Sequence, residues 1–184
     1  MSVNGRIGGP GRRSTAPGKG FVAGLLGGVA GCLAMAAVQV AWSQAFGPRT
    51  RPAEDDVAGD AAAGAGPEPS TVRGALALAR VVAGREPPAR HARAAGRAFH
   101  FAFGVGLGGA YGVFVEYVGI ASAGSGVPFG ALQVLLADEL AVPALGLSGP
   151  PSRAPTAAHL GSLAAHAAYG FATEWVRRRV RARL

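Results

Sequence analysis

Charged residues are confined to a few intervals of this chain. No Lys, Arg, Asp or Glu occurs in 20–48, 98–115, 117–137, 140–152 or 154–173. Four apolar blocks result, at about 20–46, 98–120, 127–147 and 157–176. At about 1.5 Å per residue, each is long enough to cross a hydrocarbon core of about 30 Å. Gly and Ala dilute all four, so their shared length carries more weight than any single block. The predicted fold is all-α: an integral membrane bundle of four transmembrane helices, 20–178. The long first loop, 47–97, contains a short amphipathic helix. Ser70 can cap that helix, Thr71–Ala83, whose Leu76, Leu78 and Val82 suit a membrane surface. Residues 1–19 read as a disordered basic tail, 119–126 and 149–155 as tight turns, and 179–184 as a second basic tail.

Composition sharpens this picture. The chain has 184 residues, room for one domain. It is 49% apolar but only 15% charged, against roughly 25% charged in soluble domains. A soluble Ala/Gly-rich bundle fits poorly with charge-free runs of this length. One cysteine excludes a disulfide scaffold and a cysteine-based zinc site. The formal net charge of +8 invites a nucleic-acid reading, but no aromatic-basic interleaving or reading module accompanies it. The arginines read instead as topology signals and lipid-headgroup contacts. With four spans both termini share a side, and they carry Arg6, Arg12, Arg13, Lys19 and five tail arginines, Arg177 to Arg183. The opposite side carries as many basic residues, but all except Arg153 lie in the long loop among six acids. The short, dense termini therefore predict both ends in the cytoplasm. Trp42 and Trp175 fall near opposite interfaces. Val29-Ala30-Gly31-Cys32 resembles a lipoprotein processing site, but the apolar run continues to Trp42, where a processed protein turns polar. Cys32 reads as a small buried residue in a span.

In lipid, helices associate through close backbone approach at small residues. The first block offers Gly20, Gly24 and Gly28, with Gly27 and Gly31 on the adjacent face; the second offers Gly104, Gly108 and Gly112. These repeats predict a tight bundle and admit a homodimer. Ionisable groups inside spans are costly and face partners or cavities. Here they are His100, Glu116, Asp138, Glu139, His159, His166 and Glu174, joined by the neutral polar Gln39, Tyr111, Gln133 and Tyr169. Counting from block ends places Glu139, His166 and Gln39 near mid-membrane and His100 and His159 at the outer mouth. Glu116 and Glu174 fall near the tail arginines. Asp138 and Glu139, about 100° apart on a helix, are expected to serve different partners. Pro143 removes the N–H that would bond the Glu139 carbonyl, and His166 or Gln39 is the expected substitute donor.

Two accounts of Gln39, His100, Tyr111, Asp138, Glu139, His159, His166 and Tyr169 compete. In one they are interhelical hydrogen bonds, worth about 0.6 kcal/mol each. In the other they form a proton-responsive path, since histidine titrates between about pH 5 and 8. A metal site of Glu139, His166 and His100 is disfavoured, because His100 counts as too shallow. No GxSxG or HExxH motif supports a hydrolase, and no cofactor, metal or small-molecule substrate is assigned.

The stretch His100-x3-Gly104 through Tyr111 and Glu116, then Gly130-Ala131-Leu132, then Ala137-Asp138-Glu139-x3-Pro143-Ala144-Leu145-Gly146-Leu147, then His166-x2-Tyr169-Gly170 and Glu174-x-Val176-Arg177-Arg178, resembles the YagU-like inner-membrane proteins. The Trp42 to Arg49 exit from the first block resembles theirs too. The resemblance implies a bacterial inner-membrane protein without established chemistry, loosely linked to acid tolerance, and the polar pattern is read here as a non-enzymatic, stress-related membrane protein. The lipid bilayer is then its first partner. The rival expectations are a proton or divalent-cation transporter or channel subunit and a purely structural membrane protein.

Overall fold

A computed structural model describes residues 15–46, 70–85, 87–147 and 155–184. The expected N-terminal tail up to residue 14, most of the acid-rich part of the long loop, and nearly all of the Pro-rich turn 149–155 lie outside them. Every regular element among the described residues is helical: α1 (Pro17–Phe46), α2 (Ser70–Ala83), α3 (Ala89–Tyr117), α4 (Val127–Gln133) and α5 (Thr156–Arg181). The α4 helix runs on through a π-helical stretch, Val134–Ala141, and a last turn, Val142–Ala144. Ser70 is the first residue of α2 rather than a cap outside it.

Three boundaries differ from the sequence expectation. Helix α1 begins at Pro17, so the basic tail ends earlier; proline suits a first helical turn, where its missing N–H has no partner to lose. Helix α3 begins at Ala89, nine residues before the apolar block, because Arg90, Arg93 and Arg97 extend a helix that only its inner part fills with apolar residues. Helix α5 runs to Arg181, so most of the C-terminal basic tail is its last turn, where cations favour the helix dipole.

Glycines set the packing. Gly20, Gly24 and Gly28 lie against Gly112, Gly108 and Val105, which makes α1 and α3 antiparallel. One step round α1, Gly27 and Gly31 lie against Thr173 and Tyr169, and Trp42 lies against Gly161, so α1 and α5 are antiparallel as well. Gly126 and Gly130 meet Gly170 and His166 in the same sense. The α1 and α4 helices therefore point one way and α3 and α5 the other, with α1 between α3 and α5. The start of α1 and the end of α5 meet at one end of the bundle, where Lys19 Nζ donates to the Leu184 carbonyl. Helix α2 folds back on the outer part of α3, burying Val72, Gly74 and Ala75 near Gly96 and Phe99. Leu78 and Val82 stay exposed.

The turn between α3 and α4 spans Gly119–Gly126 in 3₁₀-like form and reverses through Gly124, Ser125 and Gly126, all at positive φ. Gly126 is doubly constrained: its φ is 81°, and a methyl there would strike the Gly170 backbone.

The interior is small and partly polar while the exterior is large and apolar. Cys32, Met35, Ala165 and Tyr169 form the core cluster, and Thr173, Glu174 and Arg177 are buried beside it. Phe21, Leu26, Leu33, Phe103, Phe114, Leu135 and Leu163 face outward. A water-soluble bundle inverts this arrangement. Among the described residues three helices, Pro17–Phe46, Arg90–Tyr117 and Gly119–Ala144, are long and apolar enough to cross a membrane. Helix α5, 26 residues long, has the reach, but His159, Ser162, His166, Glu174 and its arginines dilute its apolar character.

Candidate functional site

Pro143 shapes the segment that carries the two carboxylates. Lacking an N–H, it interrupts the helical ladder, and upstream the bonding widens to five residues: the Val142 N–H donates to the Ala137 carbonyl. Asp138 and Glu139 sit inside this widened stretch. Both reach α5. Glu139 Oε1 lies 2.7 Å from His159 Nδ1. Asp138 Oδ2 accepts from Ser162 Oγ at 2.7 Å and lies 3.8 Å from His166 Nδ1. Asp138 and Glu139 have different partner residues, and both sets of partners lie on α5, on two successive turns. His159, Ser162 and His166 share a helical face, spaced by three and four residues.

The expected Glu139–His166 level is also corrected. Helix α4 ends at Ala144, and residues 145–147 form a turn with Gly146 at φ 69°. Counting depth from residue 147 therefore places Glu139 about one turn too deep. Its partner is His159, about two turns of α5 nearer the loop than His166. His100 is corrected in the other direction. Since α3 starts at Ala89, His100 lies well along its helix, one turn before Gly104, whose carbonyl accepts from Tyr169, while His166 lies one turn before Tyr169 on α5, so the two histidines share a level. The result is a file from the loop end inward: Glu139 with His159, Asp138 with Ser162, then His166 and His100.

The Gln39, Tyr111 and Tyr169 side chains fall elsewhere. Gln39 is exposed and no hydrogen bond joins it to the Glu139 carbonyl among the described residues; His166 Nδ1 instead pairs with the Ser162 carbonyl at 2.9 Å. Tyr169 is a core anchor, donating to the Gly104 carbonyl at 2.6 Å across α5 and α3. Cys32, buried beside it, directs its thiol to the Phe101 carbonyl at 3.8 Å. Tyr111 stacks on Phe129, ring centroids 4.1 Å apart, and donates to the Ala121 carbonyl at 3.3 Å. Gln133 Nε2 is buried without a partner among the described residues, about one turn inward of Asp138.

Ion pairing is strongest at the opposite end. Glu174, 1% exposed, accepts from Arg177 Nε at 2.6 Å and Nη2 at 2.8 Å, and also from Arg178 Nε. Glu116 accepts from Arg181 Nε at 2.6 Å and Nη2 at 3.0 Å and from the Ala16 N–H at 3.1 Å. The Glu116 carboxylate in turn holds the Arg181 guanidinium proton more firmly than usual. These pairings match the sequence expectation that tail arginines neutralise the two glutamates. Ser162 has no role in the sequence expectation. The Ser162 signal is its place between two histidines on one face; the Arg177 signal is its three-residue spacing from Glu174.

Among the described residues no three His, Cys, Asp or Glu side chains converge as a metal-ligand set. No protein-family model matches the chain, and no curated protein or solved structure shows significant similarity to it.

Proposed function

We propose that this is a four-span bacterial inner-membrane protein, non-enzymatic, whose His/carboxylate file takes up and releases protons and thereby alters the packing of α4 on α5. The observation that carries the proposal is the two-turn pairing of Glu139 with His159 and of Asp138 with Ser162 and His166. Imidazole changes charge across the pH range of an acidifying exterior, and π-helical segments are frequent at functional sites. Helix α5 serves as the fourth span, its polar face turned to α1 and α4 and its arginines at the cytoplasmic boundary with the N-terminus. The resemblance of the Asp138–Leu147 motif to YagU-like proteins agrees with this reading and with a stress-related role.

The test is proton flux in proteoliposomes under an imposed pH gradient, paired with a pH titration of α4–α5 packing by hydrogen exchange. A pH-dependent change in exchange that is lost in Asp138→Asn/His159→Ala, without flux, supports a sensor. Flux lost in the same variant supports the second reading, proton transport, which is favoured by the Gln133 Nε2, buried inward of the file without a partner among the described residues. No change in either leaves the groups as interhelical bonds and sinks both readings.

A further inference from the structure

The bundle end opposite the His/carboxylate file holds a cavity of about 850 Å³ between α3, the turn after it and α5. Its lining includes Glu116, Ser122, Arg177, Arg178 and Arg181. The three arginines use the same guanidinium atoms, Nε and Nη2, on the protein itself. Arg177 and Arg181 each fork onto a glutamate, Glu174 and Glu116 respectively, while Arg178 divides between Glu174 and the Ser122 carbonyl at 2.6 Å. No hydrogen bond among the described residues uses the remaining terminal nitrogen, Nη1, of any of them. A guanidinium has five N–H donors in a fixed fork, so donors remain while the plane is already held.

Charge and position point to one class of ligand. Three guanidinia and one carboxylate, Glu116, line the cavity, with Glu174 pairing to Arg177 and Arg178 from outside the lining, and Lys19, Arg179 and Arg183 add cations at the same end. Arg179 lies 3.4 Å above the Trp175 ring, outside the lining, and a half-exposed tryptophan beside terminal arginines suits the headgroup level. Preorganised arginine forks suit the tetrahedral oxygens of a phosphate, and the volume accommodates more than the bare ion. We propose that this cavity binds the phosphate ester of an anionic phospholipid headgroup, with Arg178 and Arg181 as the contacting residues and Arg177 as a positioning residue that holds Glu174. The proposal rests on the reading of the chain as membrane-embedded, which retention in carbonate-washed membranes tests separately.

The experiment uses the full chain in nanodiscs of phosphatidylcholine, with or without phosphatidylglycerol, and inorganic phosphate as a soluble arm. Retained lipid is counted by native mass spectrometry and thermal midpoints are compared. Phosphatidylglycerol is expected to be retained and to raise the midpoint. Arg178→Gln, which leaves the Arg177–Glu174 fork in place, is expected to weaken retention about tenfold, with Arg178→Lys intermediate because it keeps the charge but not the fork. Arg179→Gln makes the same charge change outside the cavity and is expected to stay within about twofold. Equal losses in Arg178→Gln and Arg179→Gln mean surface charge rather than a site and overturn the proposal. So does phosphatidylglycerol no better retained than phosphatidylcholine. Equal stabilisation by inorganic phosphate, with the same Arg178 dependence, assigns the site to a soluble phosphate and overturns the lipid assignment.

Discussion

At Gly112 a methyl group would stand 2.8 Å from the Gly24 Cα, inside the contact distance of two carbon atoms. Backbone meets backbone there, and no side chain can swing aside. Gly112→Ala is therefore expected to cost about 1–3 kcal/mol, seen as a lower thermal midpoint in mild detergent. Gly106→Ala, on the same helix with nothing within 4 Å, is expected to be neutral or slightly stabilising. Equal effects at both positions would refute close packing as the role of Gly112. Glu174 presents the opposite case, a charge that must stay. Replacing it with Gln leaves Arg177, 6% exposed, without its counter-charge, and an unpaired buried partner typically costs about 3–5 kcal/mol. The same midpoint measurement checks it; a loss no larger than that of an exposed charge change such as Arg179→Gln contradicts the buried pair.

Among the elements, α4 departs furthest from an ideal helix, and Pro143 is the physical cause. Pro143→Ala restores the missing N–H and permits the regular four-residue ladder through 134–141. The segment would then tighten and turn Asp138 and Glu139 relative to α5. Cysteines placed at 139 and 159 in a Cys32→Ser background report this directly. Disulfide yield between them is expected to fall when Pro143→Ala is added; unchanged yield would show that the proline does not set the register. The change in periodicity also accounts for both acids reaching the same helix, since a π-helical stretch does not keep 100° per residue. Helix α1 shows the reverse. Its two glycine faces, one step apart, are readable as spacing, and each finds a different neighbour, α3 on one side and α5 on the other.

For the whole molecule, the exterior is what a bilayer solvates: Phe, Leu and Val outward, glycine, alanine and paired charges inward. In lipid the drive to bury large apolar side chains vanishes and close packing of small ones takes over. The alternating helix directions put the α1 end near Trp42 and the α5 end near Arg181 at opposite poles. Cysteines introduced at Gln44 and Arg183 in a Cys32→Ala background are expected to label from opposite sides of sealed vesicles. Labelling of both from one side would contradict a membrane-crossing α1.

The sequence by itself determined the helical class, the apolar length of three of the four expected spans and the neutralisation of Glu116 and Glu174 by C-terminal arginines. Each of these follows from composition along a one-dimensional chain: charge-free length, and opposite charges three to four residues apart or at matching chain ends. Only the tertiary structure decided which of the eight polar residues gather. Depth depends on where helices end, and α3 begins nine residues ahead of its apolar block while α4 stops short of its own. Those shifts brought His100 to His166, moved Glu139 to His159, and left Gln39, Tyr111 and Tyr169 outside the file. Hydrophobicity marks what a membrane tolerates, whereas helix ends obey the hydrogen-bonding of the backbone, and the two need not coincide.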